Sequence, residues 1–214
     1  MPEAVQITPD DAAWPTRLTG AAQSMAAIGN PAVMDGRVLA LLCSVACPGD
    51  VILALGDLAL ALREAKVTVA SGFHAPMERE ALHFLLRGTQ PIILCPARGI
   101  VPYAIRPELR GALAAGRLLI VSPFADAERR ITAELATRRN RFVAALADAV
   151  CIAHAAPDGQ LAALAREVTA QGKPLLTLPS PSNAHLIALG AQAMLVSEIV
   201  AWWEDKNAKE REMG

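Results

Sequence analysis

A doubly wound, mainly parallel α/β sheet with helices on both faces is the fold this sequence predicts, and three observations predict it. Short apolar runs alternate with longer helical patterns from residue 37 onward. Hydrophobic residues make up 53% of the chain but aromatics only 4%, so the core is built from Ala, Leu, Val and Ile, as buried parallel strands under alanine-rich helices require. Several apolar runs also end in small, turn-forming residues that feed the next helix, as right-handed crossovers need.

Residues 1–36, with Pro2, Pro9, Pro15 and Pro31, read as an irregular extension. Val38–Leu42 is the first strand, and Gly49–Glu64 is helical, with Leu53, Leu55, Leu58, Leu60 and Leu62. Val67–Ala70 is the second strand; it closes in Ser71-Gly72 and leads to the helix Pro76–Arg87. Pro91–Leu94 is the third strand, followed by the helix Pro107–Ala115, which proline opens in its first turn. Leu118–Val121 is the fourth strand. Asp126–Leu146 is helical, either unbroken or interrupted near Thr137. Ala149–Ala153, the helix Gly159–Gln171 and Pro174–Leu178 come next. A short helix Ser182–Leu189, the run Ala193–Val196 and a charged helix Glu198–Glu212 close the chain. The organisation is an extension over 1–36, an α/β domain over 37–196 and a terminal helix over 197–214.

Such a sheet leaves one crevice at the carboxyl ends of its strands, where anions bind. Cys43-Ser44, Ser71-Gly72, Pro96–Gly99, Ser122-Pro123, His154–Gly159 and Pro179-Ser180 are expected there. The net charge of −1 conceals a basic middle. Residues 97–141 hold nine arginines and four acids, whereas residues 1–96 and 142–214 each carry a net −3. A basic segment in an otherwise acidic chain points to a local anion site, although solvated helix faces would use the same arginines. Thr137 as an N-cap would put Arg138, Arg139 and Arg141 in a first helical turn, a position unfavourable for arginine unless an anion sits there too. In an unbroken helix, Glu134 would instead form surface pairs with Arg130 and Arg138.

His74 and Glu78 follow the Ser71-Gly72 turn and fit two roles: acid–base chemistry, or fixing the turn and the start of its helix. No G-x-G-x-x-G follows the first strand and no P-loop motif occurs. Cys43 and Cys47 lack a histidine pair at ligand spacing, so neither a cofactor nor a metal is expected. The N-terminus lacks a basic start and an apolar stretch, and the run Val38–Cys47 is about half a membrane span. A cytoplasmic protein with reduced thiols and no membrane contact is the expectation.

Ser71-Gly72, the stretch Arg139-Asn140-Arg141 before Phe142–Leu146, and Asn183-Ala184-His185-Leu186-Ile187 with Gly190-Ala191 together resemble the DNA-processing protein A family (DprA, also called Smf). That family belongs to the Rossmann-like nucleotide-binding domains, and the resemblance covers roughly residues 20–196. It implies binding of single-stranded DNA and the loading of a recombinase. Two departures stand out: Cys43-Ser44-Val45 replaces the family's Gly-Ser-Arg after the first strand, and residues 73–80 lack its second glycine. The residues expected to meet the ligand are Ser44, Ser71, Gly72, Phe73, His74, Arg98, Gly99, Arg138, Arg139, Asn140 and Arg141.

Three functions are consistent with this sequence. The first is a DprA-like domain that binds single-stranded DNA or a nucleotide without turnover, with a recombinase as a further partner and a homodimer left open. The second is a small-nucleotide sensor or nucleoside-phosphate hydrolase using His74 and Glu78. The third is a non-catalytic interaction scaffold, with Trp202-Trp203 either as its contact patch or packed on the domain.

Overall fold

The computed structural model describes residues 3–18, 20 and 22–213. Nine strands form one sheet: β1 (Val5–Ile7), β2 (Met25–Gly29), β3 (Val38–Cys43), β4 (Thr68–Ser71), β5 (Ile92–Leu94), β6 (Leu118–Ser122), β7 (Ala149–His154), β8 (Leu175–Thr177) and β9 (Gln192–Ala193). Their order across the sheet is β1-β2-β6-β5-β4-β3-β7-β8-β9. The seven strands from β3 onward pair in parallel, while β1 with β2 and β2 with β6 are antiparallel. The chain moves outward from β3 to β6 and then returns to lay β7 beside β3, so the winding reverses between those two strands.

Seven α-helices cover the faces: α1 (Gly49–Glu64), α2 (Pro76–Leu86), α3 (Arg110–Ala114), α4 (Ala133–Leu146), α5 (Gln160–Ala170), α6 (Ala184–Ala188) and α7 (Val196–Met213). Alternate residues of the central strands enter different cores. Val38, Ala40 and Leu42 join Phe142, Val143 and Leu164 of α4 and α5. Leu39 and Leu41 join Leu55 and Leu58 of α1, Leu82 and Leu85 of α2, and Trp203 of α7. This alternation is what a strand buried on both faces dictates. Trp203 is therefore a core residue, and Arg37 lies over its ring with Cζ 4.4 Å from the centroid.

The N-terminal segment read as irregular instead carries β1 and β2, which extend the sheet beyond β6. Four of the five residues of Met25–Gly29 are buried. Its alanine pair gives little β signal, and pairing with β6 on one side and β1 on the other makes it a strand. The third and last strands are also shorter than expected, and the first turn of the predicted helix Pro107–Ala115 is a 3-10 turn, Pro107–Leu109.

The helix expected over 126–146 starts at Ala133. Thr132 is its N-cap, extended at φ −121°, with Oγ1 accepting the Leu135 N–H at 3.1 Å. Thr137 lies inside the helix and donates to the Ala133 carbonyl at 2.9 Å, so it is neither a cap nor a break. At the other end, Lys173 Nζ donates to the carbonyls of Ala144, Ala145 and Ala147. Arg17 Nε donates to Leu146 O, so two cations close the negative end of α4.

Candidate functional site

Α4 shows how the sheet and the arginines meet. Its buried residues include Leu135, Arg139, Phe142, Val143 and Leu146, a stripe at helical spacing in which Arg139 occupies an apolar position. That spacing sends Arg139 inward, 4% exposed, over the carboxyl ends of β4 and β5. Its Nη1 reaches the Cys95 carbonyl at 3.4 Å, and its Nε donates to Asn140 Oδ1 at 2.7 Å. No carboxylate pairs with it among the described residues.

Gly72 is the surface on which this guanidinium rests. A Cβ at Gly72 would lie 1.3 Å from Arg139 Nη1 and 2.0 Å from its Cζ, so the position needs glycine for close approach. The turn's left-handed residue is its neighbour Phe73, at φ +45°, an uncommon conformation for a bulky side chain. Two interactions hold it there: the Phe73 N–H donates to Ser71 Oγ at 3.2 Å, and its ring is buried in the core.

Glu78 completes the turn. Its Oε1 accepts the Cys43 N–H at 3.1 Å, and its Oε2 accepts the N–H groups of His74 and Ala75 at 3.0 and 3.3 Å. The carboxylate is 3% exposed. It ties the end of β3 to the Ser71–Ala75 turn and closes the start of α2, the structural one of its two expected roles. Glu78→Gln should therefore destabilise the protein by about 1–3 kcal/mol, because an amide must present one N–H₂ edge to backbone donors. Thermal melting of the variant checks this, and an unchanged transition would remove the role.

Gly72, Phe73, His74, Arg98 and Arg139 line one cleft together with Arg79, Tyr103 and Arg106. Its volume is about 310 Å³, and among the described residues no acidic side chain lines it. His74 is exposed at its rim. Arg98 lies over Tyr103 with Cζ 5.3 Å from the ring centroid, while Arg106 pairs with Glu108 at 3.2 Å. Burial pushes the Tyr103 phenol up from its ordinary range.

Other expected residues lie elsewhere. Ser44 closes β3 and accepts the Ala156 N–H at 3.2 Å, outside the cleft. Gly99 is buried, donates to Glu128 O at 2.9 Å, and has no room for a Cβ because Ala125 O would be 2.4 Å away. Asn140 positions Arg139. Arg138 and Arg141 do not join Arg139: they point to a larger groove of about 830 Å³ between β2, α4 and α5. There Arg138 pairs with Glu128 at 3.1 Å and Arg141 with Glu167 at 2.6 Å, which holds the Glu167 carboxyl below its usual range. Glu134, the expected partner of Arg138, is not the one used. The larger groove thus balances its charges, while the smaller cleft does not.

Arg79, Tyr103 and Arg106 were not legible as site residues, since two lie in a loop without pattern. Arg139 carried a usable signal: among the three arginines, it alone continues the Leu135–Phe142–Leu146 stripe.

The comparisons with known proteins agree with this architecture. The family model of DNA recombination-mediator protein A matches residues 5–205. The structure of DNA processing protein A from Streptococcus pneumoniae superposes with a TM-score of 0.79 at 18% identity, over 93% of this chain and 74% of that one. DNA processing protein A from Helicobacter pylori, described for its single-stranded DNA binding mode, gives 0.76 at 19% identity over 96% and 99%. A molybdenum cofactor binding protein from Rippkaea orientalis gives 0.57 at 9% identity over 79% and 96%. No curated protein matches the sequence.

Proposed function

The chain belongs to the DNA recombination-mediator protein A family, and from that premise we propose that its arginine cleft holds the phosphate backbone of single-stranded DNA. The observation that carries this reading is Arg139, a buried guanidinium with no carboxylate partner among the described residues, in a cleft that four arginines line. A buried charge without a counter-ion is costly. A phosphate supplies the missing charge and accepts hydrogen bonds from the planar fork. Arg79 and Arg106, at the exposed edge, would meet neighbouring phosphates. The single-stranded DNA binding of the Helicobacter pylori relative supports a strand over a free nucleotide.

The reading extends to delivery of the strand to a recombinase and to action in the cytoplasm; among the described residues no helix is long and apolar enough to cross a membrane. The test is a titration of the protein with labelled oligo-dT at two salt concentrations, with mononucleotides as competitors. Log affinity should fall against log salt by about 0.7 per phosphate contact. A protein that binds neither, or that prefers one mononucleotide with little salt dependence, would overturn the reading.

Arg138 and Arg141 separate this site from the larger groove. Replacing both with Ala removes two exposed ion pairs, each worth about 0.2–1 kcal/mol at most, and oligo-dT affinity should stay within about twofold. A tenfold loss in the same titration would route the strand across the outer face of α4 as well.

A further inference from the structure

We propose that Arg98, laid over the ring of Tyr103, is a platform on which one base of the bound strand stacks, so that the cleft receives a base as well as phosphates. The inference rests on the strand-binding reading above and assigns Arg98 a task different from its three neighbours. Arg98 makes no ion pair among the described residues. Its guanidinium lies over the Tyr103 ring, with Cζ 5.3 Å from the centroid, and both side chains line the cleft. Tyr103 also packs against the core, so the ring is a fixed base for the guanidinium.

The backbone that carries Arg98 is fixed too. Its carbonyl accepts Ser122 Oγ at 2.7 Å, and the next residue, Gly99, donates to Glu128 O at 2.9 Å. Stacked on that ring, the guanidinium would have one plane covered and the other left for a ligand. That plane is weakly hydrated and stacks on aromatic faces, and nucleobases stack on it in single strands. A cleft of about 310 Å³ is at the lower end of small-molecule pockets, which suits one nucleotide unit. A base in a duplex already has both faces covered, so the platform favours single strands.

The experiment compares anisotropy titrations of labelled oligo-dT with those of an oligomer of the same length in which every residue is abasic. The phosphates are then constant and only the bases differ. The parent should prefer oligo-dT by roughly tenfold, the contribution of one stacked base. Arg98→Lys keeps the charge but not the plane. It should bring oligo-dT down to the abasic level while keeping the salt slope. Tyr103→Ala should do the same by releasing Arg98, and Tyr103→Phe, which keeps the ring, should retain the preference. Equal binding of both oligomers by the parent, or a preference that survives in Arg98→Lys, overturns the platform and leaves the strand-binding reading standing. Binding of neither oligomer by the parent sinks that reading, and the platform with it.

Discussion

Arg139→Met should lower affinity for oligo-dT by roughly ten- to hundredfold, the cost of one or two charge-assisted hydrogen bonds, and leave the fold intact. The side chain is 4% exposed, and its charge has no acidic partner among the described residues. Methionine fills much of the same volume and adapts to irregular gaps. What is lost is the pair of bonds to Asn140 and the Cys95 carbonyl; what is relieved is an uncompensated buried charge. Melting should therefore shift by only a few degrees. The salt slope should fall by about 0.7, one phosphate's worth. Parent-like binding by a folded Arg139→Met protein would remove the cleft as the strand site. A collapse of the fold would instead assign Arg139 to structure, and Arg79→Ala, at an exposed residue with no ion-pair partner among the described residues, would then carry the test of binding.

The parallel sheet from β3 onward was legible because strands buried on both faces read as continuous apolar runs and the helices between them keep their period. Met25–Gly29 was not, because its strand character comes from pairing with β6 and not from its own composition. The candidate site divided in the same way. Gly72, His74, Arg98 and Arg139 could be read from turns and charge, and the structure brings them into one cleft; Ser71, expected with them, is instead buried and holds the Phe73 N–H. Grouping Arg138 and Arg141 with Arg139 treated charge as a property of a segment, whereas a helix distributes neighbouring residues around its axis. Arg139 faces inward, while Arg138 and Arg141 turn to Glu128 and Glu167. Tyr103 and Arg106 enter through the loop after β5, and no local pattern announces them.

Gly72 offers the sharpest separation between two physical reasons for a glycine. A tight strand-to-helix turn suggests a left-handed backbone, yet the left-handed residue is Phe73, and Gly72 is needed because Arg139 occupies the place of its Cβ. Gly72→Ala should force the guanidinium out from beneath the Cys95 carbonyl. Oligo-dT binding then falls at least as far as in Arg139→Met. Gly72→Val, with two further methyl groups in the same space, should also cost on the order of 1–3 kcal/mol of stability. The double variant decides the cause. With Arg139→Ala in the background the obstruction is gone, and Gly72→Ala should have almost no further effect on melting, a strongly non-additive cycle between touching residues. If glycine were required for its backbone angle, the penalty of Gly72→Ala would persist undiminished beside Arg139→Ala. An additive cycle, measured by melting of the four proteins, would therefore rule out the close approach as the reason for Gly72.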